Sequence, residues 1–350
     1  MIHPTPARLD ADRLDALKRQ AIFRHHDFAA EMGLPEAALL EAGLRQGVLR
    51  IDATPGRLIP ALGRLGEVMA TTRNPACVIE KIGTYRDFQD GPRAVTGRDL
   101  AIDLRLDPRH WVHAFTVELD GLRSVQVFDA AGDAVHKIHL REASDLGAWE
   151  GLCRELALPE MTISADLAPR VAPEGALVDA AQTETLRTEW AALTGVSQLD
   201  PLARRLNMNR LGACRLAGPH HARPLPAGAT EALFQAIRAQ GIEVRLRIGN
   251  PGCMQIHTGP IRSLRPMGSL LNVVDARFSL HLRADLVAEV WLVNTPTPQG
   301  PALSVEAFDA QGVAVYKCCG LPKDQGGDPA TWLRLVEGLP DMPGGQVVAR

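Results

Sequence analysis

Four histidine pairs and one cysteine pair are the residues best suited to chemistry in this 350-residue chain. His25-His26, His110-x-x-His113, His136-x-x-His139 and His220-His221 invite a metal. In a strand, however, residues three apart point to opposite faces, so the second and third pairs do not converge. A structural metal site also asks for four ligands held in one geometry. His220-His221 follows Gly218-Pro219 and precedes Pro224, the marks of an exposed turn. Cys318-Cys319 ends an alternating stretch, which puts one thiol inside and one outside. Cys77, Cys153, Cys214 and Cys253 are scattered without a C-x-x-C, and Cys77 and Cys253 sit in apolar strand patterns as small core residues. No G-x-G-x-x-G, Walker loop, H-E-x-x-H or G-x-S-x-G occurs, and no isolated carboxylate pair lies in an apolar setting. These residues on their own write no reaction.

The elements that must position them are written twice. Residues 124–137 read SVQVFDAAGDAVHK and residues 304–317 read SVEAFDAQGVAVYK, nine of fourteen identical at an offset of 180. Asn74-Pro75-Ala76-Cys77 returns as Asn250-Pro251-Gly252-Cys253, and Ile102-Asp103-Leu104-Arg105-Leu106 answers to Phe278-Ser279-Leu280-His281-Leu282. A period this long is a duplicated domain, because solenoid repeats run about 20–50 residues. In each copy helical patterns come first (10–20, 28–32, 36–42 and 54–65 in the first). Period-two stretches joined by short turns follow, and a last helix closes the copy (145–156 and 330–337). Short links imply an antiparallel meander. The expected class is therefore α+β, a tandem repeat of two antiparallel sheet domains with flanking helices, each sheet covered on one face. The expected boundaries are 1–158, an Ala/Pro-rich linker at 159–183, and 184–350.

Bulk composition narrows the partners. Hydrophobic residues make up 46% and charged residues 23%, as in ordinary globular chains. A net charge of −3 with no Lys/Arg run argues against nucleic acid or a membrane surface as main partner. Apolar stretches are short and interrupted, so no stable membrane insertion is expected, and residues 1–20 carry acids where a signal peptide has an apolar core. The chain reads as cytoplasmic.

Longer motifs carry a resemblance. Arg73-Asn74 with Val78-x-Glu80-x-x-Gly83, His110-Trp111-Val112-His113-Ala114-Phe115, and the 127–137 segment resemble the HemS/HmuS/ChuS family of cytoplasmic haem-transport and haem-degrading proteins. So do Asn250-x-Gly252-Cys253-x-Gln255-Ile256-x-Thr258-Gly259 and Leu271-Asn272-Val273. The resemblance runs from about residue 20 to residue 340. It implies two stacked repeats, haem as ligand, and haem-iron uptake as process. The implied partners are a haem-importing transporter or a haem oxygenase. It also implies haem between sheet and helices of the second repeat, with Arg105 and Arg210 near it.

The chain departs from the family at the pocket. The family's axial histidine follows a W-x-x-L/M-T segment, and Trp190-Ala191-Ala192-Leu193-Thr194 leads here to Ser197, a poor ligand for haem iron. Ile79 stands where some members carry a second histidine, Arg247 where the family has a cavity phenylalanine, and Cys319 where it has an aromatic residue. Three readings follow. Haem is held by a substitute iron ligand, Cys319 with its neighbour Cys318, or His221 beside His220. The pocket takes another anionic tetrapyrrole-like ligand through Arg105, Arg210 and Arg247. Or the protein acts through protein partners. Haem degradation is a further expectation of the resemblance, although no catalytic constellation is visible.

Overall fold

The computed structural model describes residues 29, 32–41, 43–44, 46–90, 95–98, 101–158 and 167–341. The helix expected over residues 10–20, His25-His26, most of 28–32 and part of the expected linker lie outside them. The chain forms two compact units. The first comprises Met1–Thr72, Lys81–Val171 and Asn250–Met254; the second comprises Arg73–Glu80, Ala172–Gly249 and Gln255–Arg350.

In the first unit come α1 (Glu36–Glu41), β1 (Val48–Ile51), α2 (Pro55–Arg64) and β2 (Gly66–Arg73), whose last residue passes into the second unit. The chain then forms β3 (Cys77–Gly83), which returns it to the first unit, followed by β4 (Phe88–Asp90), β5 (Val95–Arg98) and β6 (Asp103–Leu106). Next are β7 (His113–Leu119), β8 (Leu122–Phe128), β9 (Ala134–Ser144) and α3 (Leu146–Leu156). Within this unit β1-β7-β8-β9-β2 are the larger stretch of one antiparallel sheet, and β4-β5-β6 are a smaller stretch of another. The meander expectation therefore holds for β7–β9 and for β4–β6, but β2 pairs with β9 at the far end of the sequence. The α3 helix starts where Asp145 accepts the amide of Ala148, closing one of the open N–H groups of the first turn.

The second unit repeats the plan. It holds α4 (Thr183–Ala191), α5 (Leu199–Arg205), α6 (Arg210–Ala217), β10 (Ala222–Leu225), α7 (Ala229–Gln240) and β11 (Glu243–Asn250), the last residue of which lies in the first unit. Then come β12 (Cys253–Pro260), which enters from the first unit, β13 (Arg265–Met267), β14 (Leu270–Asp275), β15 (Phe278–Arg283), β16 (Glu289–Thr295), β17 (Ala302–Phe308), β18 (Ala314–Gly320) and α8 (Pro329–Glu337). Its larger sheet stretch runs β10-β16-β17-β18-β11-β12, and β15-β14-β13 are the smaller stretch, in another sheet. The mixed helix and antiparallel-sheet class is as expected.

Both faces of each larger sheet are covered, where one was expected. In the second unit Leu246, Val305 and Cys318 pack under α7 and α8. Trp291, Val293 and Phe308, on the opposite face, pack with Trp190, Leu202 and Leu211 of α4–α6. In the first unit α2 and α3 cover one face and Ala37 and Leu40 of α1 meet Phe115 and Phe128 on the other. The reason lies in the central strands: Ser124–Phe128 and Ser304–Phe308 are buried at every residue, including those of the polar half of the alternation. Burying a large apolar side chain contributes about 1.5–3 kcal/mol, so two covers stabilise more than one. No helix among the described residues is long and apolar enough to cross a membrane.

Candidate functional site

The α4–α6 face of the second unit's larger sheet is apolar at one end and charged at the other. Across the strands, Trp291, Glu306, Lys317 and Arg247 stand directly opposite one another in one row, and Ser304, Cys319 and Arg245 form the next row on the same face. Directly paired residues share a face, so these side chains project together. Glu306 is buried. It accepts two hydrogen bonds from Arg210 at 2.6 and 2.8 Å, one from Lys317 at 2.8 Å and one from Ser304 at 2.7 Å. Burial pushes its carboxyl up, but the Arg210 guanidinium and the Lys317 ammonium overcome that and hold it well below the usual carboxylate range. Arg210 also reaches Asp200 at 3.2 Å. Asn209 caps α6 by accepting the amide of Gly212, which aims Arg210, the first helical residue, at the sheet.

The balance of charge is positive. Arg210, Lys317, Arg245 and Arg247 face Glu306 and Asp200, and Arg247 carries no ion pair or hydrogen bond among the described residues. Arg245 leans on Thr258 at 3.4 Å and Gln325 at 2.5 Å, both neutral. Like charges opposed across a ladder repel, so Arg247 beside Lys317 costs stability unless an anion lies between or above them. The first unit has no such excess. Its matching row is Phe115, Gln126, Lys137 and Thr71, with Lys137 paired to the buried Glu36 of α1. Thr71 takes the place of Arg247, and Gln126 that of Glu306.

The residues singled out in the sequence separate. Arg247 and Cys319 share the charged face, and Arg210 joins them with its guanidinium already held by carboxylates. Cys318 points the other way into the core, where burial pushes its thiol far up, so it cannot meet a ligand on this face. Cys319 is half-buried, its sulfur 3.7 Å from the Arg245 carbonyl. Ser197 is exposed in the turn between α4 and α5. His221 flanks edge strand β10 and stacks on Trp190 at 5.6 Å, and burial first, then His220 and Arg187, push its pKa down. His220 is exposed. Arg105 lies on β6 in the first unit, largely exposed, 3.7 Å from Asp103. Glu306, Lys317 and Arg245 were missed. The alternation Ser304-Val305-Glu306 carried the signal, since it puts a carboxylate on the same face as Ser304.

A second polar cluster lies in the core of the first unit. His136 meets Thr72 Oγ1 at 2.8 Å through Nδ1 and the Tyr85 hydroxyl at 2.5 Å through Nε2, with Cys253 Sγ 3.6 Å from Nδ1. Burial pushes His136 down to about 3 and Cys253 up to about 12. Both are neutral at ordinary pH, so the pair offers no nucleophile and serves packing. No group of three metal-ligating side chains occurs among the described residues.

Comparison with known proteins places the chain among relatives. The model of the haemin-degrading HemS.ChuX domain matches residues 33–156 and 207–339. Hemin transport protein HmuS of Yersinia pestis is 34% identical over 299 residues, 84% of this chain and 86% of that protein. Holo-PhuS, a heme-binding protein from Pseudomonas aeruginosa, superposes with a TM-score of 0.89 at 34% identity, covering 95% of this chain and 100% of that one. ChuS, an E. coli heme oxygenase, superposes with a TM-score of 0.83 at 28% identity, covering 94% of this chain and 98% of that one.

Proposed function

Since the chain belongs to the HemS/ChuX haemin-degrading domain family, we propose that it binds haem on the charged half of the α4–α6 face of the second unit and traffics it in the cytoplasm. Its partners in this reading are a haem-importing transporter that supplies haem and a haem oxygenase that receives it. Arg247 opposite Lys317 is the observation that carries the assignment: two cations on neighbouring strands, one of them unpaired, match the propionates of a flat ligand.

Strand spacing favours Cys319 over His221 as the iron ligand. Cys319 is the diagonal neighbour of Arg247, about 7–8 Å away. His221 flanks β10, four strand spacings or about 19 Å from β11, too far for one porphyrin to join it to Arg247. Ferric iron takes a thiolate readily, and Arg245 and Lys317 offset its charge. Arg210 holds Glu306 in place rather than contacting the propionates.

A haem titration followed in the Soret region tests the proposal. The expected result is saturable binding with a thiolate-type spectrum, lost or shifted in Cys319→Ala and weakened at least about tenfold in Arg247→Glu, where an attraction of ~1.4 kcal/mol or more is reversed. Binding unaffected by both substitutions would remove the site. With a reductant added, a carrier leaves the Soret band intact, whereas loss of the band would assign degradation.

A further inference from the structure

Strands β13–β15 of the second unit carry a face that is buried at its centre and exposed at its rim. Leu271, Val273, Leu280 and Leu282 turn into the core, which puts the alternate residues on the opposite face, where Asn272 is buried and His281 half-buried. There Asn272 stands opposite His281, Val274 is about half exposed, and Arg265 stands opposite Asn272 on the edge strand with Met267 beside it, largely exposed. The imidazole is fixed. His281 Nδ1 lies 2.7 Å from Asn272 Oδ1. The Asn272 amide nitrogen donates to the Arg265 carbonyl at 3.4 Å, which makes the amide oxygen the acceptor and Nδ1–H the donor. In the neutral ring this tautomer leaves the lone pair on Nε2, directed away from Asn272. A ring nitrogen oriented by a hydrogen bond at the other nitrogen is the arrangement in which histidines bind metals.

We infer that this face is a second ligand site, separate from the one on the larger sheet, and that it takes an anionic metalloporphyrin through the Nε2 of His281. No three-ligand metal cluster exists among the described residues, so a bare cation would find too few partners. A metal already held by four porphyrin nitrogens needs one protein ligand. Ferric iron exchanges an axial water for the imidazole nitrogen, with no proton lost by the protein. The exposed Val274 and Met267 receive the apolar ring, and Arg265, which has no ion pair among the described residues, faces a propionate. Glu80 lies near His281, and burial pushes its carboxyl above the usual range, which lessens its repulsion of an anionic ligand. By the internal repeat, His281 is the counterpart of Arg105, so one copy presents an imidazole where the other presents a guanidinium.

The test is a titration of the full chain with ferric protoporphyrin IX, counting equivalents and reading the axial ligand from the absorption and electron paramagnetic resonance spectra. Wild type is expected to take two equivalents, one with an imidazole signature. His281→Ala should lose that equivalent and leave the other, while Arg247→Glu should weaken only the other. Asn272→Ala, with circular dichroism as a folding check, should weaken the imidazole-type equivalent about 10–100-fold, the cost of losing a ring-orienting partner. Metal-free protoporphyrin should bind there at least about tenfold more weakly, because the coordination bond is absent. One equivalent sensitive to Arg247→Glu and indifferent to His281→Ala would overturn this inference and leave the first site standing. One equivalent lost only in His281→Ala would do the reverse.

Discussion

Glu306 sits where an isolated carboxylate would be expelled, and its partners decide both stability and pH response. Removing it leaves Arg210 and Lys317 facing each other in a largely buried place, so Glu306→Ala is expected to cost about 3–5 kcal/mol in denaturant unfolding. Because the folded-state pKa lies below the unfolded value of about 4.5, this stabilisation is present above that pH and fades as the pH drops below it. His136 acts in the same direction at a higher pH. Its folded pKa of about 3 against an ordinary 6.5 means that the unfolded chain takes up a proton first, so stability declines by ~1.4 kcal/mol per pH unit below 6.5 until about pH 3. Melting temperatures between pH 7 and 5.5 report this effect together with one of the same sign from His221, whose pKa burial also pushes down, while Glu306 is ionised in both states. His136→Gln is expected to flatten the slope, and an unchanged slope would assign the acid response to other groups. Tyr85→Phe, which leaves Nε2 of His136 without its 2.5 Å partner, should cost about 1–3 kcal/mol at neutral pH.

At the scale of elements, the charged face depends on how α6 is set down. Asn209 accepts the amides of Gly212 and Leu177 and donates to the Gly175 carbonyl, so one side chain ties the start of α6 to the extended segment before α4. Gly212 makes the approach possible: a Cβ there would lie 1.7 Å from the Leu177 carbonyl oxygen. Gly212→Ala must push α6 away from that segment and draw Arg210 off Glu306, so the melting temperature should drop and haem affinity on this face with it. Gly195→Ala, at a position with open space, is the control expected to change neither. This arrangement also marks how far the sequence could be read. The helices at 54–65 and 145–156 announced themselves by Pro55 and Asp145, and the strands by alternation and turn glycines. The split of Cys318 from Cys319 followed from strand parity alone. The double cover of each sheet was not legible, because the unbroken burial of 304–308 is hidden by its Ser and Glu. Nor was the role of Arg210, since its partner Glu306 lies 96 residues away and only the fold brings the two together.

At the scale of the whole molecule, the duplication is interlocked. The first copy's 73–80 segment belongs to the second unit: Ala76, Cys77 and Ile79 pack in its core, Asn74 donates to the Val315 carbonyl at 2.8 Å, and the Ala76 carbonyl accepts the amide of Arg283. The second copy's 250–254 segment belongs to the first unit, where Cys253 is in the core and Asn250 donates to the Val135 carbonyl at 2.8 Å. The Asn-Pro-x-Cys motif that opens the repeat comparison is thus the part each copy lends to the other. Asn supplies the reach: besides its long-range donation, its side-chain oxygen accepts the amides two and three residues on, which shapes the turn. We propose that residues 159–183 are the covalent linker and that they do not hold the copies together. Val171, 93% exposed, marks where a protease can enter. Limited proteolysis in this segment should give two fragments on a denaturing gel that still elute as one species by native size exclusion. Residues 1–158 expressed alone should be poorly folded, because the core then lacks Cys253 and the Asn250 bond, and co-expression with 184–350 should restore solubility. Fragments that separate after the cut, or a first half that folds and melts cooperatively alone, would show that the exchanged segments contribute little and that each copy is sufficient to itself.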